Sequence, residues 1–328
     1  MREINQEDSI LFSYLFDSDG KATELATRFA SQELKNKGLT WVHIDANNKN
    51  ARSWIKNEVS YLDHLIIDAL TAQETRPRVT EFSDGLLIIL REVNQFSKDE
   101  PEDMVSIRVW IDSERIITVQ RRSMHAIFDI KEQISQGKII KTSTEFLYNL
   151  LYKIIEINSP FLYDLSDQLD VLEDQVVKSQ NSQLRSEILD IRTSATIFKR
   201  YLVPQKEVIA KLRICNCEWV DDWAKRHFQE NLDQITMAIE ELDEIRDRSH
   251  ILSDELFSAL TEKLNKSMYL LSLIASIFIP LTFFTSILSV NIAGIPGANS
   301  ESAFMWMIFI IAFLTLLQLI IFKRKDMF

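Results

Sequence analysis

Two long uncharged runs of hydrophobic residues lie close to the C-terminus. The first has no charged residue from Ser267 to Ser300, and the second extends from Phe304 to Phe322. At a rise of about 1.5 Å per residue, a helix over 268–291 is about 36 Å long and can cross a hydrocarbon core of about 30 Å. The pattern therefore predicts a membrane hairpin with a first span at about 268–291, an outer loop at 292–303, a second span at about 304–322 and a tail at 323–328.

Basic residues flank this hairpin on one side of the membrane. Lys263 and Lys266 precede the first span and Lys323, Arg324 and Lys325 follow the second, whereas the loop between the spans has no Lys or Arg. Because cytoplasmic flanks carry the excess of Lys and Arg, we expect both chain termini in the cytoplasm. The predicted location is the inner (plasma) membrane, with the lipid bilayer as a partner of the chain.

The first span has two different faces. With residues placed about 100° apart, one sector of about 120° carries mainly small or hydroxyl side chains, and the opposite face carries large apolar ones. The sector consists of Met268, Ser272, Ala275, Ser276, Ile279, Thr282, Phe283 and Ser286. The pattern alone slightly favours close helix packing over the wall of a water-filled pore. Two helices cannot enclose a pore, so the second interpretation requires an oligomer.

Residues 1–142 alternate between strand-like and helix-like patterns. Runs rich in Ile, Val, Leu and Trp predict strands, and amphipathic runs between them predict helices. The strands are expected at 10–16, 41–46, 85–93, 104–112 and 115–121, and the helices at 21–34, 51–59 and 62–72. We therefore predict a cytoplasmic α+β domain, a mixed sheet flanked by helices, with Trp41 and Trp110 packed in its core.

Residues 143–267 are predicted to be helical. Glycine is absent between Lys138 and Ala293, and Pro160 and Pro204 are the breakers within the region. They predict helices near 143–158, 161–202 and 205–268, with a further break at 215–219. The last helix is a long stalk that continues into the first membrane span.

The stalk helix carries a hydrophobic stripe and an acidic face. The stripe has the three- and four-residue spacing of a helical bundle or coiled coil. It contains Leu232, Ile235, Ile239, Leu242, Ile245, Leu252, Leu256, Leu260 and Leu264. The acidic face contains Glu240, Glu241, Asp243, Glu244, Asp247 and Asp254. By itself such a face is ordinarily solvated.

Composition and motifs limit the classes of function that fit this chain. The net charge of −11 argues against a nucleic-acid partner and suits the concentration of cations. No glycine-rich phosphate loop, HExxH motif or nucleophile–base arrangement is present, so we expect no enzyme. Cys215, Cys217 and His227 are a weak candidate site for a metal ion, since two cytosolic cysteines are usually free thiols. The arginines at 76, 78, 121 and 122 are expected on the solvated surface or in ion pairs between subunits.

The exit of the first span carries the most specific motif. Ser289-Val290-Asn291 is followed by the turn Gly294-Ile295-Pro296-Gly297. This stretch resembles the first-span exit of the CorA metal-ion transporter superfamily, and the turn is similar to that of its ZntB branch. The segments TWVHIDA, ETRPRV and PEDMVSIRVWI also resemble that branch. Ser289 departs from the family pattern, which has glycine there, so the loop and its selectivity can differ.

The resemblance implies a homopentameric cytoplasmic funnel whose stalk helix continues as the pore helix. Counted back from Asn291, the pore-facing positions of the family match Met268, Leu271, Ala275, Ile279, Thr282 and Ser286, and an acidic ring of the funnel matches Asp254. Met268 and Leu271 match a hydrophobic constriction, which can gate a pore by dewetting. Five copies of Asn291 would present amide oxygens that can bond the waters of a hydrated divalent ion.

The function implied is transport of divalent metal ions, with zinc as the cargo and proton-coupled uptake as one form of it. The alternative within the superfamily is a magnesium or cobalt channel of the CorA type. An alternative of another class is a membrane-anchored binding or sensor protein that transports nothing. No permanently bound cofactor is expected, because Zn²⁺ or Mg²⁺ is the cargo.

Overall fold

The structure is a computed structural model that describes residues 9–36, 38–58, 63–73, 75–94, 104–178, 181, 183–290 and 301–324, without the side chains of Leu288 and Ala303. The chain divides into two compact units, unit 1 (Met1–Ser253) and unit 2 (Asp254–Phe328). The domain boundaries predicted at residues 142 and 267 remain predictions.

The described strands of unit 1 form one mixed sheet of seven strands. They are β1 (Ile10–Phe16), β2 (Ala22–Glu24), β3 (Thr40–Asp45), β4 (Arg78–Glu81), β5 (Leu86–Val93), β6 (Met104–Ile111) and β7 (Arg115–Gln120). The spatial order is β2-β1-β3-β7-β6-β5-β4. The pair β3 and β7 is parallel and the other neighbours are antiparallel. The five predicted strands are confirmed, and β2 and β4 are additional.

Helices cover both faces of the sheet. Unit 1 contains α1 (Thr27–Glu33), α2 (Ala51–Glu58), α3 (His64–Thr71), α4 (His125–Ser135), α5 (Ser143–Lys178) and α6 (Leu184–Ile214). The first three helices pack on one face, around the buried side chains of Val42 and Trp110. On the other face the ring of Phe146, from α5, lies 4.7 Å from that of Trp41. Trp41 and Trp110 are 0% and 1% exposed, which confirms their predicted packing in the core.

The helix predicted at 21–34 is wrong in its first part. Residues Ala22–Glu24 form β2, which pairs antiparallel with the end of β1. The turn between the two strands depends on Gly20, whose φ of +81° is readily adopted only by glycine. Its backbone N–H donates to the carbonyl of Asp17 at 2.9 Å. The Asp-Ser-Asp-Gly turn therefore outweighs the helical pattern that follows it.

The breaks predicted at Pro160 and Pro204 are also wrong, since both prolines lie inside helices, α5 and α6. A proline inside a helix costs about 3 kcal/mol. Burial of one large aliphatic side chain returns about 1.5–3 kcal/mol, and the buried stripe continues across both prolines. Around Pro160 the stripe contains Ile154, Ile157, Leu162 and Leu165.

The longest helix, α7 (Asp222–Leu288), begins in unit 1 and ends in unit 2, and α8 (Ala303–Arg324) follows in unit 2. The predicted break at 215–219 is confirmed, because α6 ends at Ile214. Asp221 marks the new start, where its carboxylate accepts a hydrogen bond of 2.9 Å from the backbone N–H of Ala224.

Glu92 on β5 is a buried acid that caps a helix. Its carboxylate accepts hydrogen bonds from the backbone N–H groups of His125 and, at 3.1 Å, of Ala126 at the start of α4. These amides favour the charged form, but burial outweighs them and raises the pKa of Glu92 from 4.5 to about 8. The carboxyl is thus largely protonated at neutral pH.

We expect Glu92 to make the stability of the fold depend on pH. Because its pKa is higher in the folded chain, its contribution is fully present below about pH 4.5 and is lost as the pH rises through about 8. Between about pH 6 and pH 8.5 the wild type should lose about 2 kcal/mol of unfolding free energy relative to Glu92→Gln. Thermal melts followed by circular dichroism measure this difference, with exposed Glu187→Gln as the control. If the difference in unfolding free energy between the wild type and Glu92→Gln stayed constant with pH, the raised pKa of Glu92 would be contradicted.

Candidate functional site

The part of α7 in unit 1 is held by a continuous buried stripe. Ile235, Ile239, Leu242, Ile245 and Leu252 are all less than a tenth exposed. Their spacing of three and four residues, with one gap of seven, places them on one side of the helix, as the sequence predicts. The stripe also includes Leu256, whereas Leu264 is 65% exposed, so the burial does not extend to the end of the predicted run.

Ion pairs fix α7 against α5 and α6. The ammonium of Lys199 on α6 lies 2.6 Å from the carboxylate of Asp243. Arg248 on α7 donates to Asp170 and, at 3.0 Å, to Glu173, both on α5. These hydrogen bonds raise the pKa of Arg248 above its already high ordinary value. The stripe and the ion pairs together set which face of α7 remains exposed.

That exposed face carries a line of carboxylates, with the exposed apolar side chains of Met237 and Ile251 among them. Asp233, Glu240, Glu244 and Asp247 are exposed and recur every three, four or seven residues. Asp254, which is also exposed, continues the spacing at the start of unit 2. We call these five residues the acidic stripe. Glu241 and Asp243, which the sequence assigned to the same face, lie on its flank and are half-buried.

The membrane-span part of α7 has a covered side and an open side. Leu273, Ile277, Leu281 and Thr285 are half-buried at successive turns. On α8 the residues at 307, 311, 314, 315, 318 and 322 are half-buried with the same periodicity. Unit 2 contains only these two described helical segments, so we infer that the two half-buried sides face each other. Both helices are long and apolar enough to cross a membrane.

The predicted pore positions lie on the open side of α7. Met268, Leu271 and Ile279 are 64%, 68% and 67% exposed, and Thr282 and Ser286 are exposed as well. Ala275 belongs to the same side and is half-buried. At about 100° per residue this side is centred roughly 140° from the half-buried side. We call it the open face, because α8 leaves it uncovered in one copy of the chain.

The predicted selectivity motif, Ser289-Val290-Asn291, is described only in its first two residues. Ser289 ends the helix, and its hydroxyl donates to the carbonyl of Ser286 at 2.9 Å. Val290 follows and is exposed. Asn291 and the Gly-Ile-Pro-Gly turn at 294–297 lie outside the described residues. Ser289 therefore uses its hydroxyl within the last helical turn.

The weak cysteine–histidine site is not assembled in the described part of the chain, where no three His, Cys, Asp or Glu side chains are grouped to hold a metal ion. His227 instead bonds the carbonyl of Trp223 at 2.8 Å through Nδ1. Burial and the neighbouring Cys215 raise the pKa of the Cys217 thiol, which opposes formation of the thiolate that a metal needs.

Comparisons with known proteins agree with this architecture. The curated divalent cation transporter CmaX of Pseudomonas aeruginosa is 29% identical to this chain, over 98% of each protein. The zinc transport protein ZntB of Pectobacterium carotovorum is 30% identical, over 91% of this chain and 90% of that protein.

Solved structures show the same fold. The structure of full-length CmaX matches with a TM-score of 0.84 and 29% identity, over 98% of this chain and 99% of that one. The CorA magnesium transporter of Methanocaldococcus jannaschii matches with a TM-score of 0.82, over 96% of this chain and 98% of that one. At 19% identity, the second likeness concerns the fold alone. A family profile described as "CorA-like Mg2+ transporter protein" matches residues 36–324, and the chain therefore belongs to the CorA-like family.

Proposed function

We propose that this protein is a homopentamer that carries divalent cations across the inner membrane, with Zn²⁺ as its cargo and both termini in the cytoplasm. The observation that carries the proposal is the open face of α7, where small, hydroxyl and flexible apolar side chains stay uncovered, away from the half-buried side of the helix. Five such faces around one axis would enclose a pore. Membership of the CorA-like family supports the same arrangement.

Relatives favour zinc, and the chemistry of the spans limits how zinc could pass. One similar protein is named for zinc and another for divalent cations in general. Zinc binds most tightly to Cys and His, and residues 268–290 and 303–324 contain neither. The ion would therefore pass through weak contacts with oxygen atoms or with its own water shell. Weak contacts suit conduction, because a tight site does not release its ion.

The cargo is tested by uptake into proteoliposomes that hold the purified full-length chain. We expect Zn²⁺ to enter faster than Mg²⁺ or Co²⁺, with a rate that responds to an imposed pH gradient. Magnesium flux that exceeds zinc flux and ignores the gradient would identify a CorA-type channel instead. If folded protein moved none of the three ions, a binding or sensor role would replace the transport proposal.

The acidic stripe is proposed to concentrate cations at the cytoplasmic side of the pathway. We expect the triple variant Glu240→Gln, Glu244→Gln, Asp247→Asn to lower cation flux several-fold at low ionic strength. The loss should shrink at about 0.5 M salt, because the screening length then falls to a few ångströms. Flux at several salt concentrations measures both effects.

A matched control removes three exposed carboxylates elsewhere in unit 1. Asp167→Asn on α5, with Glu187→Gln and Asp190→Asn on α6, makes the same change in net charge away from the acidic stripe. This control should leave flux near the wild-type value. If both triple variants lost cation flux equally, the effect would come from net charge, and the acidic stripe would have no specific role in the pathway.

A further inference from the structure

A cavity of about 770 Å³ in unit 1 is lined by six arginines. They come from five separate stretches of the chain and are Arg76, Arg91, Arg108, Arg121, Arg122 and Arg200. Thr75 and Tyr201 also line the cavity. No Asp or Glu lines the cavity among the residues that the structure describes. Such a concentration of positive charge is unexpected in a chain whose net charge is −11.

Neutral oxygen atoms hold the deepest guanidinium groups in place. Arg108 donates to the carbonyls of Ala72 and Gln73 at 2.9 and 3.2 Å. Arg121 donates to the carbonyls of Thr71 and Ala72 at 2.7 and 3.2 Å. These carbonyls belong to the C-terminal end of α3, where partial negative charge accumulates. They orient the arginines without cancelling their formal charges.

The charges on several of these arginines have no acidic partner in the described part of the chain. Arg76, Arg108, Arg121 and Arg200 form no ion pair with any carboxylate described there. Burial and the nearby charges of Arg121 and Arg91 lower the pKa of Arg108 from 12.5 to about 10. Arg108 therefore stays charged at neutral pH while it is repelled by its neighbours.

Two buried polar atoms at the cavity lack hydrogen-bond partners among the described residues. One is Nε of Arg108, a residue that is only 1% exposed, and the other is Oγ1 of Thr75. Both atoms are closed off from solvent, so they mark polar groups of the wall whose burial is incompletely compensated, and are not themselves contacts for a ligand in the cavity.

Tyr201 contacts two of the arginines that line the cavity. Its ring lies 4.6 Å from the guanidinium of Arg91 and 5.0 Å from that of Arg200. Its hydroxyl accepts a hydrogen bond of 3.1 Å from Arg200. Contacts of this kind limit the rotamers of both arginines and reduce the entropy that a bound anion would have to remove.

We propose that this cavity binds a small soluble polyphosphate anion, either the triphosphate group of a nucleotide or inorganic tripolyphosphate. Guanidinium groups bind phosphate oxygens in pairs, and six of them exceed what one phosphate group can contact. The volume lies within the range of about 300–1,000 Å³ that is usual for small-molecule pockets. An acidic protein segment fits less well, because the arginine at the floor of the cavity is almost fully buried. The proposal does not rest on the transport function.

The test is isothermal titration of purified full-length protein with sodium tripolyphosphate and with ATP, both in excess EDTA to remove divalent cations. We expect saturable binding with one ligand per chain, binding of orthophosphate at least about tenfold weaker, and none of adenosine. Equal affinity for the two polyphosphates would show that the phosphate chain alone is recognised. Tighter binding of ATP would add a contact to the nucleoside.

Exposed arginines provide variants that should fold. The double variant Arg76→Gln, Arg200→Gln should weaken tripolyphosphate binding at least about tenfold. The control, Arg78→Gln with Arg192→Gln, changes two exposed arginines outside the cavity, one on β4 and one on α6, and should stay within about twofold of the wild type.

Two results would overturn the proposal. The first is the absence of saturable binding by either polyphosphate, and the second is equal weakening in both double variants. If polyphosphate fails to bind and Arg76→Gln with Arg200→Gln lowers the mass of the assembly in native mass spectrometry, the cavity is instead a contact between copies of the chain.

Discussion

Attachment of a positively charged thiol reagent to Thr282→Cys is expected to reduce divalent-cation flux at least about tenfold. Thr282 lies on the open face of α7, and in a pentamer five adducts would form a ring around the pore. A divalent ion about 6 Å from one adduct is repelled by roughly 5 kcal/mol at an effective dielectric constant of about 20, and each 1.4 kcal/mol is tenfold in rate. Flux into proteoliposomes before and after treatment measures the effect.

The neighbouring residue provides the control. Leu281→Cys lies on the half-buried side of the same turn, so it should react slowly and keep its flux after treatment. Treated wild-type protein gives the background, since Cys215 is buried and the pKa of Cys217 is raised, which slows its reaction. If Thr282→Cys reacted fully and flux did not change, the open face would not line the pathway.

Trp41→Ala is expected to destabilise unit 1 by about 4 kcal/mol, within the range for large-to-small aromatic substitutions in a core. The side chain is 0% exposed, and its ring lies 5.0 Å from that of Phe12 and 4.7 Å from that of Phe146. Its indole N–H also donates to Oγ1 of Thr118 at 2.9 Å, so the substitution removes a buried hydrogen bond as well. Thermal unfolding of the full-length protein by circular dichroism measures the loss.

Trp223→Ala removes the same side chain from a more exposed position. Trp223 is 40% exposed, and its ring stacks at 3.8 Å on His227 rather than inside the sheet. Its loss should cost about 1 kcal/mol or less, since surface substitutions rarely cost more. Equal melting temperatures for the two variants would show that the sheet is not anchored on Trp41.

Much of the fold could be predicted from the sequence because its signals are local and repeated. The strands around Trp41, Ile88 and Val109 are rich in branched and aromatic residues, which predict strands wherever they are clustered. The prolines misled the helix prediction, because a buried stripe on both sides of Pro160 outweighs the cost of one missing hydrogen bond. The start of α7 at Asp222 was not predicted, although Asp221, whose carboxylate caps the helix, is a signal that could have located it.

Part of the candidate site could likewise be predicted from the sequence, and part could not. The open face and the acidic stripe are properties of a single helix, so helical spacing predicts them, and the same spacing would have added Asp233. Glu241 and Asp243 were placed incorrectly, because each lies about 100° around the helix from its neighbour in the acidic stripe, Glu240 or Glu244, and therefore on the flank. The arginine cavity could not be predicted, because Arg76, Arg108 and Arg200 meet only after the sheet and α6 have packed.

The most direct test of the central claim is divalent-cation flux into proteoliposomes for the wild type, Asn291→Ala and Asn299→Ala. The account predicts Zn²⁺ entry in the wild type, a loss of at least about tenfold in Asn291→Ala, and near-normal entry in Asn299→Ala, which removes an amide from the predicted outer loop, beyond the motif. No flux from wild-type protein shown to be folded and pentameric would contradict the claim that this chain transports cations.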